Sequence, residues 1–104
     1  MITAITSNAN TKAAQVDEKF GRCAYFALHN HATGETEFID NPHKNNKGGV
    51  GSSVVEMLAN REVTQIVAIE FGPKAKNLLE KLSIQMIVPE NKQITIEEII
   101  AKIK

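Results

Sequence analysis

The sequence predicts an α/β fold, a mixed five-stranded sheet covered by three helices in the order β-β-β-α-β-α-β-α. Three observations lead there. The second half alternates short β-branched runs with segments of helical period, the signature of strand–helix units and of a partly parallel sheet. In the first half, two apolar runs flank a glycine-containing turn, which gives a hairpin and an antiparallel portion. The chain has 104 residues, 42% of them hydrophobic and 23% charged. That suffices for one core, and no repeat, low-complexity segment or linker divides it, so a single domain over 1–104 is expected.

Met1 to Thr6 is short, β-branched and apolar, and stops at the turn-forming Ser7-Asn8-Ala9-Asn10. It is the first strand. Residues 8–21 are polar, end in Gly21 and form a long loop; loops of that length tend to be functional or mobile. Cys23 to Asn30 is the second strand, Ala32-Thr33-Gly34-Glu35 the turn, and Thr36 to Ile39 the third strand. Asp40 to Gly49 is a second long loop, because Pro42 and the pair Gly48-Gly49 break any regular element.

Gly51-Ser52-Ser53 opens a helix with Ser52 as its cap, and Val54, Val55, Met57 and Leu58 form its apolar stripe as far as Asn60 or Arg61. Gln65 to Ile69 is a buried β-branched strand. Gly72-Pro73 starts a second helix with proline at its first position, and Ala75, Leu78, Leu79 and Leu82 keep the helical period. Ile84 to Val88 is a short strand stopped by Pro89. Thr95 caps a final helix through Ile103, with Glu98 completing a capping box and Ile96, Ile99, Ile100 and Ile103 on one face.

Composition excludes several classes. Lys plus Arg and Asp plus Glu are both 12, so the net charge is zero; neither nucleic acid nor an anionic membrane is the expected partner. The single cysteine allows no intrachain disulfide and suits a reducing, cytoplasmic setting. The N-terminus lacks the basic region and apolar core of a signal peptide, and no apolar run reaches the length of a membrane span. Three His and one Cys are too few for a closed cysteine-rich zinc site. Asp17, Glu18, Asp40 and Glu70 lie near loop ends, but nothing pairs them at acid–base spacing, and no hydrolase or zinc-protease signature is present. Turnover chemistry is not expected.

Binding chemistry is better supplied. Cys23 follows the Phe20-Gly21-Arg22 turn at the mouth of an apolar run. Its thiolate would be a soft metal ligand, and Arg22 could favour the thiolate or hold an anion. His43, near Gly48-Gly49, is a second candidate metal ligand, whereas His29 and His31 flank a hairpin turn and read as turn residues. Two helix starts follow glycine turns, one at Gly48-Gly49-Val50-Gly51 and one at Gly72-Pro73-Lys74. Free N–H groups and the helix dipole favour anions there, and ligands of open α/β sheets gather beyond the carboxyl ends of strands. Neither turn is a P-loop. The loops at 8–22, 41–51 and 70–74 are expected to form one ligand face.

These residues, in order, resemble a known family. Asp17-x-x-Phe20-Gly21-Arg22, Phe26, Asp40-Asn41-Pro42, Gly48-Gly49-x-Gly51, Ile69-x-x-Gly72-Pro73-x-Ala75 and Leu82-x-Ile84 look like the dinitrogenase iron-molybdenum cofactor biosynthesis family. The resemblance runs over nearly the whole chain. It implies a ribonuclease-H-like fold and a non-catalytic role in carrying or inserting iron–sulfur-derived clusters between metallocluster donor and acceptor proteins, nitrogen fixation included. The family's Phe-Gly-Arg turn falls on Phe20, Gly21 and Arg22, and its glycine loop on Gly48, Gly49 and Gly51. Many members carry a small residue such as Ala where this chain has Cys23. The expected cargo is an iron–sulfur or iron–molybdenum-type cluster, with Gly72 completing the cradle and Cys23 and His43 as metal ligands. The other reading is a small regulatory or partner-binding module without metal. A nuclease on the same fold would need carboxylates on strand ends for two metal ions, and Ile2-Thr3-Ala4-Ile5-Thr6 carries none.

Overall fold

The computed structural model describes residues 1–103. Five strands, β1 (Ile2–Ser7), β2 (Tyr25–Asn30), β3 (Thr36–Asp40), β4 (Val63–Val67) and β5 (Gln85–Ile87), alternate in the second half with α1 (Val50–Asn60), α2 (Pro73–Lys81) and α3 (Ile96–Ile103). They form one mixed sheet in the order β3-β2-β1-β4-β5. β2 is antiparallel to β3, as the hairpin predicts, and also to β1, whereas β4 runs parallel to β1 and to β5.

Alternation along the strands divides the core between the two sheet faces. Ala4, Phe26, Leu28, Ile66 and Ala68 face α1 and α2, meeting Val54, Val55, Leu58, Ala75 and Leu79. Their neighbours Ile5, Ala27 and Val67 face α3, meeting Ile96, Ile99 and Ile100. Farther along that second face the row turns polar. Gln65 Nε2 donates to Thr3 Oγ1 at 2.6 Å, Thr3 Oγ1 meets His31 Nε2 at 2.7 Å, and His29 Nδ1 meets Thr36 Oγ1 at 3.0 Å. His29 is therefore a buried member of a hydrogen-bonded row and not a solvated turn residue.

The expected cap of α1 is corrected, and of the two characters expected for the long first loop, functional or mobile, its anchoring speaks against the second. α1 begins before Ser52: its cap is Gly49 in the left-handed region at φ 65°, with no side-chain cap bond. Only glycine takes that conformation without cost, so the backbone of Gly49 opens the helix. The long first loop is anchored throughout. Val16 pairs with Ser7, Gln15 with Thr95 and Lys19 with Glu70. In addition, Glu97 N and Ile96 N donate to Lys12 O and Ala14 O at 3.0 and 2.8 Å. The start of α3 thus consumes the loop's carbonyls. The capping box at that start is as expected: Glu98 N donates to Thr95 Oγ1 at 3.2 Å, and Glu98 Oε1 accepts from Thr95 N at 3.0 Å.

Candidate functional site

A cleft of about 440 Å³ opens beyond the carboxyl end of β4, between the turn at 19–22, the first residues of α1 and the segment 70–75. Its geometry follows from small residues at three contacts. A Cβ on Gly21 would lie 3.4 Å from Val50 Cγ1 and 3.7 Å from Gly51 N, so the turn rests on the start of α1. A Cβ on Gly51 would lie 3.4 Å from the Ala75 Cβ. The starts of α1 and α2 therefore touch, and both present their amino ends to the same space. Gly72 caps α2 in extended conformation, and Pro73 follows at the first helical position, where its missing N–H costs nothing.

Phe20 forms the floor. It is buried, packs edge-on against Phe26 at 6.1 Å and lies 5.5 Å from the ring of Phe71. Its N–H donates to Glu70 O at 3.2 Å, tying the turn to the segment after β4. Val50, Pro73 and Ala75 add apolar wall, while Lys19, Arg22 and Lys74 are lining cations opposed, among the described residues, by the one carboxylate of Glu70. Arg22 Nη1 donates to Lys44 O at 2.9 Å, bridging the turn to the second long loop.

Of the expected site residues, Phe20, Gly21, Arg22, Gly51 and Gly72 line this cleft. Gly48 and Gly49 do not: Gly49 sets the helix start, and the space around both is open. Cys23 lies outside the cleft as well. It precedes β2, is fully buried, and its thiol donates to Phe20 O at 3.6 Å. Burial first, and the nearby Asp17 charge second, push the thiol up to about 12; the soft thiolate expected here is absent near neutral pH. His43 lines a different hollow with Ser53, Glu56, Met57 and Asn60, and its Nδ1 meets Asn46 Nδ2 at 3.1 Å. Among the described residues no three His, Cys, Asp or Glu side chains converge as a ligand set.

The cations Lys19 and Lys74 were not singled out from sequence, where each is one lysine among many; adjacency to a glycine turn was their only signal. Asn41, quoted in the Asp40-Asn41-Pro42 block, had no role assigned from sequence. It is 2% exposed, and its Nδ2 donates at 2.9 Å to the carbonyls of both Gly21 and Cys23.

The likenesses of the chain agree with this architecture. Orange protein from Desulfovibrio gigas, in its apo form, superposes with a TM-score of 0.89 at 24% identity, covering 98% of this chain and 85% of that one. A NifB-like protein from Thermotoga gives 0.82 at 24% identity, with the same coverage of 98% and 85%. At that identity the two show the fold. An uncharacterized protein of Methanocaldococcus jannaschii is 34% identical over 70 residues, 64% of this chain and 59% of that protein. The chain thus matches about three-fifths of that relative's length. The model of the family described as dinitrogenase iron-molybdenum cofactor matches residues 1–104.

Proposed function

The chain belongs to the dinitrogenase iron-molybdenum cofactor family, and we propose that it carries an anionic metal–sulfur cluster, iron–sulfur or iron–molybdenum in type, between donor and acceptor proteins without catalysing a reaction on it. One observation carries the reading: among the described residues, two helix starts and three cations converge on one cleft lined by a single carboxylate. Each helix start presents about half a positive charge and backbone donors without intrahelical acceptors. The sum favours an anion.

The donor set narrows the cargo. Among the described residues no thiol or imidazole lines the cleft. Bare soft-metal ions would call for several such ligands, so the residues fit a preassembled cluster whose sulfides accept hydrogen bonds. Phe20, Val50, Pro73 and Ala75 suit weakly hydrated sulfur and keep water from it. Cargo seated without coordinate bonds leaves without ligand exchange, as a carrier requires. The mixed sheet with β1 at its centre fits the ribonuclease-H-like arrangement. In this reading the protein works in the cytoplasm, and cofactor assembly for nitrogen fixation is a process it would serve.

Anaerobic reconstitution with iron and sulfide, followed by desalting, tests the reading. Wild type should retain iron and sulfide together, and Arg22→Ala should retain less. Wild type emerging free of metal would favour the regulatory or partner-binding module.

A further inference from the structure

We propose that Asn41 is a positioning residue for Arg22, and that it sets the affinity of the cleft for sulfidic anions through that arginine; the second clause rests on the carrier reading above. Arg22 stands between two peptide carbonyls, those of Gly21 and Cys23. Both accept a hydrogen bond, each of 2.9 Å, from the one amide of Asn41. The Gly21 carbonyl belongs to the peptide that enters Arg22 and the Cys23 carbonyl to the peptide after Cys23, so one planar amide pins the two-residue turn at both ends and limits where the Arg22 side chain can start.

Asn41 is itself fixed. Its N–H donates to Ala24 O at 3.0 Å, its Oδ1 accepts from His43 N at 3.0 Å, and it is buried. Asparagine is suited to the place because it offers two N–H donors and an acceptor on one short plane. An aspartate would turn a carboxylate toward two carbonyl oxygens. The consequence reaches the cleft through Arg22, which spends one donor on Lys44 O and keeps most of its five-donor fork for a ligand.

The test uses tetrathiomolybdate, a soluble dianion of the metal–sulfur class, titrated optically into wild type, Arg22→Ala, Asn41→Ala and the double variant. Arg22→Ala should bind about tenfold more weakly, as for loss of one charge-assisted contact. Asn41→Ala should approach that loss, and the double variant should bind no more weakly than Arg22→Ala alone. Asn41→Ala combined with Lys74→Ala should instead multiply the separate losses. A residue that merely supports the fold would multiply with both, and that result, or wild-type binding by Asn41→Ala, overturns the proposal.

A ligand-free readout separates this from the carrier reading. The Arg22 Nη–H resonances should be resolved in wild type, where Nη1 donates to Lys44 O, and averaged toward free arginine in Asn41→Ala. Absent tetrathiomolybdate binding in wild type with those resonances behaving as described would sink the carrier reading and leave the positioning role standing. Unchanged resonances would sink the positioning role. Asn41→Ser, neutral and able to satisfy one carbonyl, replaces Asn41→Ala where the latter fails to fold. Failure of both to fold would make Asn41 a structural residue and overturn the proposal.

Discussion

Replacing Cys23 with alanine should remove a specific piece of alkaline instability. The thiol ionises near 9.0 when unfolded and at about 12 when folded, because burial opposes the thiolate and Asp17 adds like charge. The folded state therefore keeps its proton where the unfolded chain has lost it. Between those values the unfolded state binds fewer protons, so stability falls as pH rises. Linkage between pKa values of 9.0 and about 12 gives a loss of about 1.4 kcal/mol between pH 8 and pH 10. For a domain of this size that is a fall in melting temperature of roughly 6–11 °C. The quantity to measure is the difference between wild type and Cys23→Ala, which cancels everything the two proteins share. Thermal melts at the two pH values supply it, and the variant should lose that much less. Iodoacetamide gives a second reading. At pH 8 the folded thiolate fraction is about one in ten thousand, against about one in ten unfolded. Native labelling should thus be slower by about a thousandfold before steric exclusion is counted. Equal alkaline slopes in the two proteins, or native labelling within tenfold of the unfolded rate, would refute the buried neutral thiol.

Other elements make equally direct commitments. Thr95→Ala should cost about 1 kcal/mol by removing the cap of α3, read by denaturant unfolding. Glu98 is held below the usual carboxylate range by the Thr95 N–H and hydroxyl, so the contribution of this contact is present above pH 4.5 and lost as pH falls through the folded value; the gap between Thr95→Ala and wild type should close in acid. Gly49→Ala places a Cβ at φ 65° and should cost about 1–2 kcal/mol, and unchanged stability would mean that α1 can open from another backbone conformation. Gly51→Val should push the start of α1 away from Ala75 and fill the cleft, so retention of iron and sulfide should drop even where the melting temperature stays within a few degrees. Retention at the wild-type level would remove Gly51 from the seat.

What could be read from the sequence follows a physical divide. Elements specified by local chemistry were legible. The capping box at Thr95 and Glu98, the proline that opens α2 and the glycine turn between β2 and β3 depend on neighbours a few residues away. Of the ligand face expected from the loops at 8–22, 41–51 and 70–74, the ends next to the glycine turns meet in the cleft, while 8–18 and 41–49 stand outside its lining. Side-chain direction was not legible. Cys23 falls in the turn before β2, where strand alternation gives no parity, and its sulfur turns back to Phe20 O instead of reaching the cleft. The separation of His43 from the glycines depends on how the 41–49 loop passes over α1. Asn41 stood in the Asp40-Asn41-Pro42 block of the resemblance without a role, since nothing local reveals that its amide reaches back to Gly21 and Cys23.

The central claim, that an anionic metal–sulfur cargo sits where α1 and α2 begin, is tested most directly by mapping tetrathiomolybdate onto the backbone amides by NMR. The account predicts shifts concentrated at Gly21, Arg22, Gly51, Gly72, Lys74 and Ala75, saturating together, with the polar row at Thr3, His29 and Gln65 unmoved. Shifts centred on His43 and its hollow with Glu56 and Met57, or scattered over the surface lysines without saturation, would contradict it.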